Sequence, residues 1–167
     1  MLFRSAPPAP PPGVDYFPAV ENVRAVQDGE VVKVGPLSVT AHHVPGHTPG
    51  ATTWTWQSCE GSRCLNMVYA DSISTVSNEG FRFTGDGKRP SLIPSFRASI
   101  TKVGALPCDI MISTHPAASN MDEKLTKRAA MKAGDPDPFI DPGACKALAA
   151  TAMKGLEDRV KAESGKK

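Results

Sequence analysis

The spacing of hydrophobic and polar positions changes twice along this chain. Residues 1–18 are proline-rich and show no period, which predicts an extended lead without a packed face. From Val20 the texture becomes β-branched and short-ranged. Val20–Val26, Glu30–Val34 and Leu37–Val44 read as strands, separated by the turn signals Asp28-Gly29 and Gly35-Pro36. Thr52-Thr53-Trp54-Thr55-Trp56 alternates strictly, which predicts a strand with one aromatic face. Cys64–Ala70 is mostly apolar and reads as a central strand, and Gly80–Phe83 as a short one.

The period then lengthens to that of a helix. Leu92, Phe96, Ile100 and Val103 share one helical face, with Pro90 and Ser91 near its start and Gly104 and Pro107 beyond its end. Asp109–Ser113 is a buried strand that runs into Thr114-His115-Pro116. Ser119-Asn120-Met121-Asp122 has the form of a capping box and predicts a second helix. Ala133–Phe139 is a loop. Asp141-Pro142 predicts the start of a third helix, with Cys145, Leu148, Ala152, Leu156 and Val160 on one face. Strands come first and mixed elements follow, so the expected class is α/β (α+β), a sheet with helices on one face. The expected division is a lead at 1–18 and one domain at 19–167.

Composition narrows the possible functions. The chain has 167 residues and a formal net charge of +2, with 40% hydrophobic and 22% charged residues. That suits one globular core. The near-neutral balance gives no footprint for nucleic acid, and the basic stretch Lys124–Lys132 reads as a solvated helix face. No apolar run approaches the roughly 20 residues of a membrane helix. Met1-Leu2-Phe3-Arg4-Ser5 lacks the three-part pattern of a signal peptide.

The four cysteines allow three pairings. Cys59 and Cys64 flank the short polar stretch Glu60-Gly61-Ser62-Arg63, whose ends a hairpin would bring together. The pairing Cys59–Cys64 with Cys108–Cys145 is therefore the favoured one, and it implies an oxidising compartment. The alternative is four buried thiols.

Three positions could carry chemistry. His47 sits in Pro45-Gly46-His47-Thr48-Pro49-Gly50, a rigid loop just after a strand. His115 follows a buried strand and is stopped by Pro116. Asp71 follows the strand ending at Ala70, with Ser72 and Ser74 next. Each has an ordinary reading alone, as a surface histidine or a turn-forming aspartate. As a set at strand ends, imidazole and carboxylate suit zinc. His42 and His43 lie on a strand and read as structural.

The loop around His47, with Thr53-Trp54-Thr55-Trp56, Ser58-Cys59-Glu60-Gly61, Arg63-Cys64 and Val68-Tyr69-Ala70-Asp71-Ser72, resembles the third subclass of class B β-lactamases. So do Phe81-Arg82-Phe83, Leu106-Pro107-Cys108-Asp109, and His115-Pro116 with Ala118-Ser119. The resemblance covers about residues 20 to 165. It implies the C-terminal half of an αββα sandwich of the metallo-β-lactamase superfamily. It implies two zinc ions, with His47 as a ligand of one and His115 of the other. It further implies Ser72 and Ser74 as holders of the substrate carboxylate, and Asp71 beside the metal site, as a ligand or as a group that orients ligands. Cys108–Cys145 resembles the family's usual disulfide, and Cys59–Cys64 an extra one found in some members. The implied reaction is zinc-dependent hydrolysis of a small β-lactam, conferring antibiotic resistance, in the periplasm or outside the cell.

The family's His-x-His-x-Asp-His motif is absent from this sequence. Each zinc would keep one of its three protein ligands. The expectation is a fragment that is inactive alone and that needs its missing N-terminal half or associates with itself. Two alternatives remain: another hydrolase of the superfamily, of thioesterase or lactonase type, and a metal-free, non-catalytic remnant.

Overall fold

Tight hairpins build the first part of the fold, and the computed structural model describes residues 22–165 of the chain. The Pro-rich lead lies outside the described residues. Five strands form one sheet in the order β1-β2-β3-β4-β5. They are β1 (Val31–Val34), β2 (Leu37–His43), β3 (Thr52–Glu60), β4 (Arg63–Ala70) and β5 (Ile110–Ser113). The first four pair antiparallel, and β5 pairs parallel to β4. A parallel neighbour needs a long crossover, and the chain between β4 and β5 supplies it with α1 (Ile93–Gly104).

The β3–β4 hairpin is tighter than the sequence suggested. Glu60 already pairs with Arg63, so only Gly61 and Ser62 form the turn. Gly61 takes φ +59°, which a two-residue hairpin of matching twist requires and a side chain disfavours. Cys59 then stands directly opposite Cys64, and the two are bonded. Cys108–Cys145 is also bonded, and it ties the approach to β5 to α3 (Ala144–Ser164).

Two predicted strands do not form. Residues 22–26 have no strand structure, and residues 20 and 21 lie outside the described set. Residues 80–83 are also irregular. There the backbone amides of Phe83 and Thr84 donate to the carboxylate of Glu163 on α3 instead of to a neighbouring strand. The alternation of Phe81 and Phe83 serves aromatic packing. Phe83 meets both Phe81 and Phe96 edge-to-face, at 5.0 and 5.2 Å between ring centres.

The helices cover one face of the sheet. Ile93, Phe96, Ile100 and Val103 bury the inner side of α1 against Leu156 of α3 and the ends of the strands. A second cluster packs Val68, Ala70 and Met111 against Ala144 and Cys145. The opposite face carries two cross-strand rows, Trp54–Tyr69–Ile112 and Trp56–Met67–Ile110. None of these six residues belongs to either core cluster, although all are apolar or aromatic.

The helix starts differ from the predicted caps. Ser119 belongs to a 3-10 turn (Pro116–Ser119), and its hydroxyl donates to the Pro116 carbonyl. Asn120, in the left-handed region at φ 53°, precedes α2 (Met121–Ala129) and makes no side-chain cap. Asp141 accepts the Gly143 amide at 3.0 Å, and α3 begins one residue later.

Candidate functional site

The antiparallel register decides where the candidate residues go. His43 at the end of β2 pairs with Thr52 at the start of β3, and Trp54 pairs with Tyr69 near the end of β4. Ala70 pairs with Ser113 at the end of β5. The loop after β2, the segment after β4 and the segment after β5 therefore leave the same end of the sheet. His47, Asp71–Ser74 and His115 lie on those three segments.

The loop carrying His47 is clamped from below. Its Pro45 carbonyl accepts the Ser99 hydroxyl of α1 at 2.8 Å, and Val44 donates to Ala51 across its base. Gly46 lies on the Phe96 ring, where an added Cβ would come within 2.9 Å. Glycine is needed here for close approach. His47 is half-buried, and its Nδ1 donates to the Ser74 carbonyl at 3.1 Å. A carbonyl can only accept, so Nδ1 carries a proton, and in the neutral ring the lone pair lies on Nε2. A nitrogen held in this way is the form that binds metal.

Asp71 spends both carboxylate oxygens on backbone. Oδ2 accepts the Thr52 amide at 2.8 Å and Oδ1 the Ser72 amide at 2.7 Å. Its own amide donates to the Thr53 hydroxyl. The side chain ties the start of β3 to the end of β4 and bends the chain that follows. That bend sets the Ser74 carbonyl that holds His47. Ser72 is 7% exposed, and its hydroxyl is bonded to that of Ser74 at 3.1 Å. Ser74 is half-buried.

His115 is exposed, in extended backbone at the head of the 3-10 turn. It borders a cavity of about 260 Å³ together with Ser72, Ser74, Ser113 and Thr151. The α3 side of this cavity is lined by Leu148, Ala152 and Gly155. The sequence reading missed Ser113 and the small residues of α3. Their helical spacing was legible, but the wall they would form was not.

The two other histidines are placed on the sheet. His42 Nε2 lies 2.8 Å from the Thr55 hydroxyl, and burial pushes the imidazole below its ordinary pKa. Lys102 of α1 reaches the His43 carbonyl and Asp28.

A zinc ion does not fit this donor set. Among the described residues no three His, Cys, Asp or Glu side chains come together as a metal group. Each Asp71 oxygen already accepts a backbone amide, and His115 belongs to no group of three such side chains among the described residues. A catalytic zinc takes about three protein ligands. One imidazole with the right tautomer is a single ligand, whatever its geometry.

No family model matches the sequence. Solved structures do. The chain is similar to Rm3 metallo-β-lactamase at 45% identity and a TM-score of 0.83, over 91% of this chain and 55% of that one. It is similar to MEM-A1, a subclass B3 metallo-β-lactamase from a soil metagenome library, at 41% identity and a TM-score of 0.80, over 89% and 55%. BJP-1, a subclass B3 metallo-β-lactamase of Bradyrhizobium japonicum, gives 30% identity and a TM-score of 0.76, over 89% and 54%. The chain spans about half the length of each. By sequence and fold together it resembles the metallo-β-lactamases, with its likeness to the subclass B3 enzymes running over about half of their length.

Proposed function

We propose that this chain is one half of a zinc-dependent β-lactam hydrolase and does not turn over β-lactams alone. The observation that carries the reading is the convergence of His47, the Asp71–Ser74 segment and His115 at one end of a sheet whose sequence is 45% identical to a metallo-β-lactamase. In this reading His47 and His115 each give one imidazole to a different zinc. Ser74 and, after a turn of its hydroxyl, Ser72 receive the substrate carboxylate. Asp71 positions the loop that orients His47 and takes no part as a ligand. The remaining ligands come from a complementary half carrying His-x-His-x-Asp-His. That half also covers the sheet face bearing Trp54 and Trp56. The two disulfides support an oxidising compartment such as the periplasm. No helix among the described residues is long and apolar enough to cross a membrane.

The test is complementation. The chain is dialysed with zinc, alone and mixed with the N-terminal half of a B3 relative, then assayed with a chromogenic cephalosporin and with a thioester. The expected result is no turnover and no tightly held zinc pair alone, with both gained on mixing. Turnover and two retained zinc ions in the chain alone overturn the half-site reading. A restored complex that cleaves the thioester and spares the cephalosporin supports the thioesterase-type alternative.

A further inference from the structure

The two disulfides sit in opposite surroundings. Cys108 and Cys145 are buried, at 7% and 1% exposure, in the cluster of Val68, Met111 and Ala144. Cys59 and Cys64 are both exposed, at the tip of the β3–β4 hairpin. Ser58, Glu60 and Arg63 beside them are exposed as well. Side chains alternate across a strand, so the next residues on the same face as the two cysteines are Gln57 and Asn66, both polar.

Exposure decides which bond a thiol reaches. A thiolate must approach one sulfur and displace the other through a mixed disulfide, so an exposed bond exchanges where a buried one resists. The hairpin does not depend on its disulfide for shape. Gly61 closes the turn in the left-handed region, and the register runs unbroken from Trp54–Tyr69 to Glu60–Arg63. The bond closes a loop of sequence separation 5, against 37 for Cys108–Cys145, so opening it releases less chain entropy. Exchange at the tip therefore leaves the strand ladder in place.

We propose that Cys59–Cys64 is a thiol-exchange site that opens to a small hydrophilic thiol, whereas Cys108–Cys145 is structural and inert to it. The thiolate sulfur of the incoming molecule bonds to one cysteine sulfur. The Cys59–Cys64 bond breaks, and its electron pair leaves with the other cysteine as a thiolate, which takes a proton from water. A second thiolate attacking the mixed disulfide carries the first away as their own disulfide and leaves both cysteines reduced. The site lies at the far end of the sheet from His47, Asp71 and His115, and it stands independently of the function proposed for them.

The test is incubation of the folded chain with dithiothreitol at about pH 8, where a thiol is partly ionised. Aliquots are quenched by alkylation and mapped by peptide mass spectrometry. Cys59 and Cys64 are expected to be labelled at least about tenfold faster than Cys108 and Cys145. Hydrogen exchange on the same samples is expected to show the ladder amides of Trp54–Gln57 still protected once the tip bond has opened. Three results overturn the proposal: a Cys59–Cys64 bond that opens only in denaturant, equal rates at the two bonds, or loss of amide protection as the tip bond opens. All three are read within the unmodified chain, so no variant needs to fold.

Discussion

Replacing Glu163 with Gln keeps the shape of the side chain and removes its charge. Glu163 is 6% exposed, and four donors converge on it. Oε1 accepts the Phe83 amide at 3.0 Å and the Arg159 guanidinium at 2.6 Å. Oε2 accepts the Thr84 amide at 2.8 Å and the Thr84 hydroxyl at 2.7 Å. Burial from water pushes the carboxyl up, but Arg159, the Thr84 hydroxyl and the two amides outweigh it and hold it at about 2, against an ordinary 4.5. A carboxylate with a depressed folded-state pKa stabilises the fold above its unfolded value, and that contribution is lost as pH falls toward the folded one. The difference corresponds to about 3 kcal/mol at pH 7, falling to about 1 kcal/mol at pH 3. Glu163→Gln is therefore expected to lose about 3 kcal/mol at neutral pH and to approach the parent chain in acid. Urea unfolding of both at pH 7, 5 and 3 measures the gap, and the other carboxylates cancel in the comparison. A gap under about 0.5 kcal/mol at pH 7, or one independent of pH, refutes the reasoning.

Three further outcomes are expected. Replacing Cys108 and Cys145 together by Ala opens a loop of sequence separation 37, against 5 for Cys59 and Cys64, so chain entropy puts the losses at about 4 and about 2 kcal/mol; thermal unfolding of the two variants gives the order, and the reverse order removes the entropic account. Gly46→Ala drives a methyl into the Phe96 ring and costs about 1–3 kcal/mol by overpacking, read from urea midpoints, whereas a neutral substitution shows that the loop can retreat. The chain alone self-associates through the face of Trp54, Trp56 and Tyr69; sedimentation velocity shows less association in Trp56→Lys/Tyr69→Lys, and an unchanged profile clears that face.

Particular residues show how far local pattern carried. The face Phe96, Ile100 and Val103 needs only a 3.6-residue period, and α1 buries it. The alternation at Thr52–Trp56 and the turn at Gly61 likewise foretold the β3–β4 hairpin, and with it the Cys59–Cys64 bond. The same alternation misled at Phe81 and Phe83. There the amides found a carboxylate 79 and 80 positions away, which no local window contains. The charge run Lys124–Lys132 is largely exposed, and Lys124 alone buries its stem against a neighbouring turn and helix.

The sequence by itself determined most of the elements, the β3–β4 hairpin and the resemblance to metallo-β-lactamases, because these rest on local periods, turn residues and short motifs. It also placed His47, Asp71, Ser72, Ser74 and His115 each at a strand end. Only the tertiary structure decided what those residues face. It gave the Asp71 oxygens to two amides, bonded the Ser72 hydroxyl to that of Ser74, put a proton on His47 Nδ1, and brought no three metal-ligating side chains together among the described residues. The physical reason is that a ligand set, a hydrogen-bond partner and a buried charge are properties of side chains brought together from distant segments, and strand pairing and helix packing fix those meetings only once the chain has closed on itself.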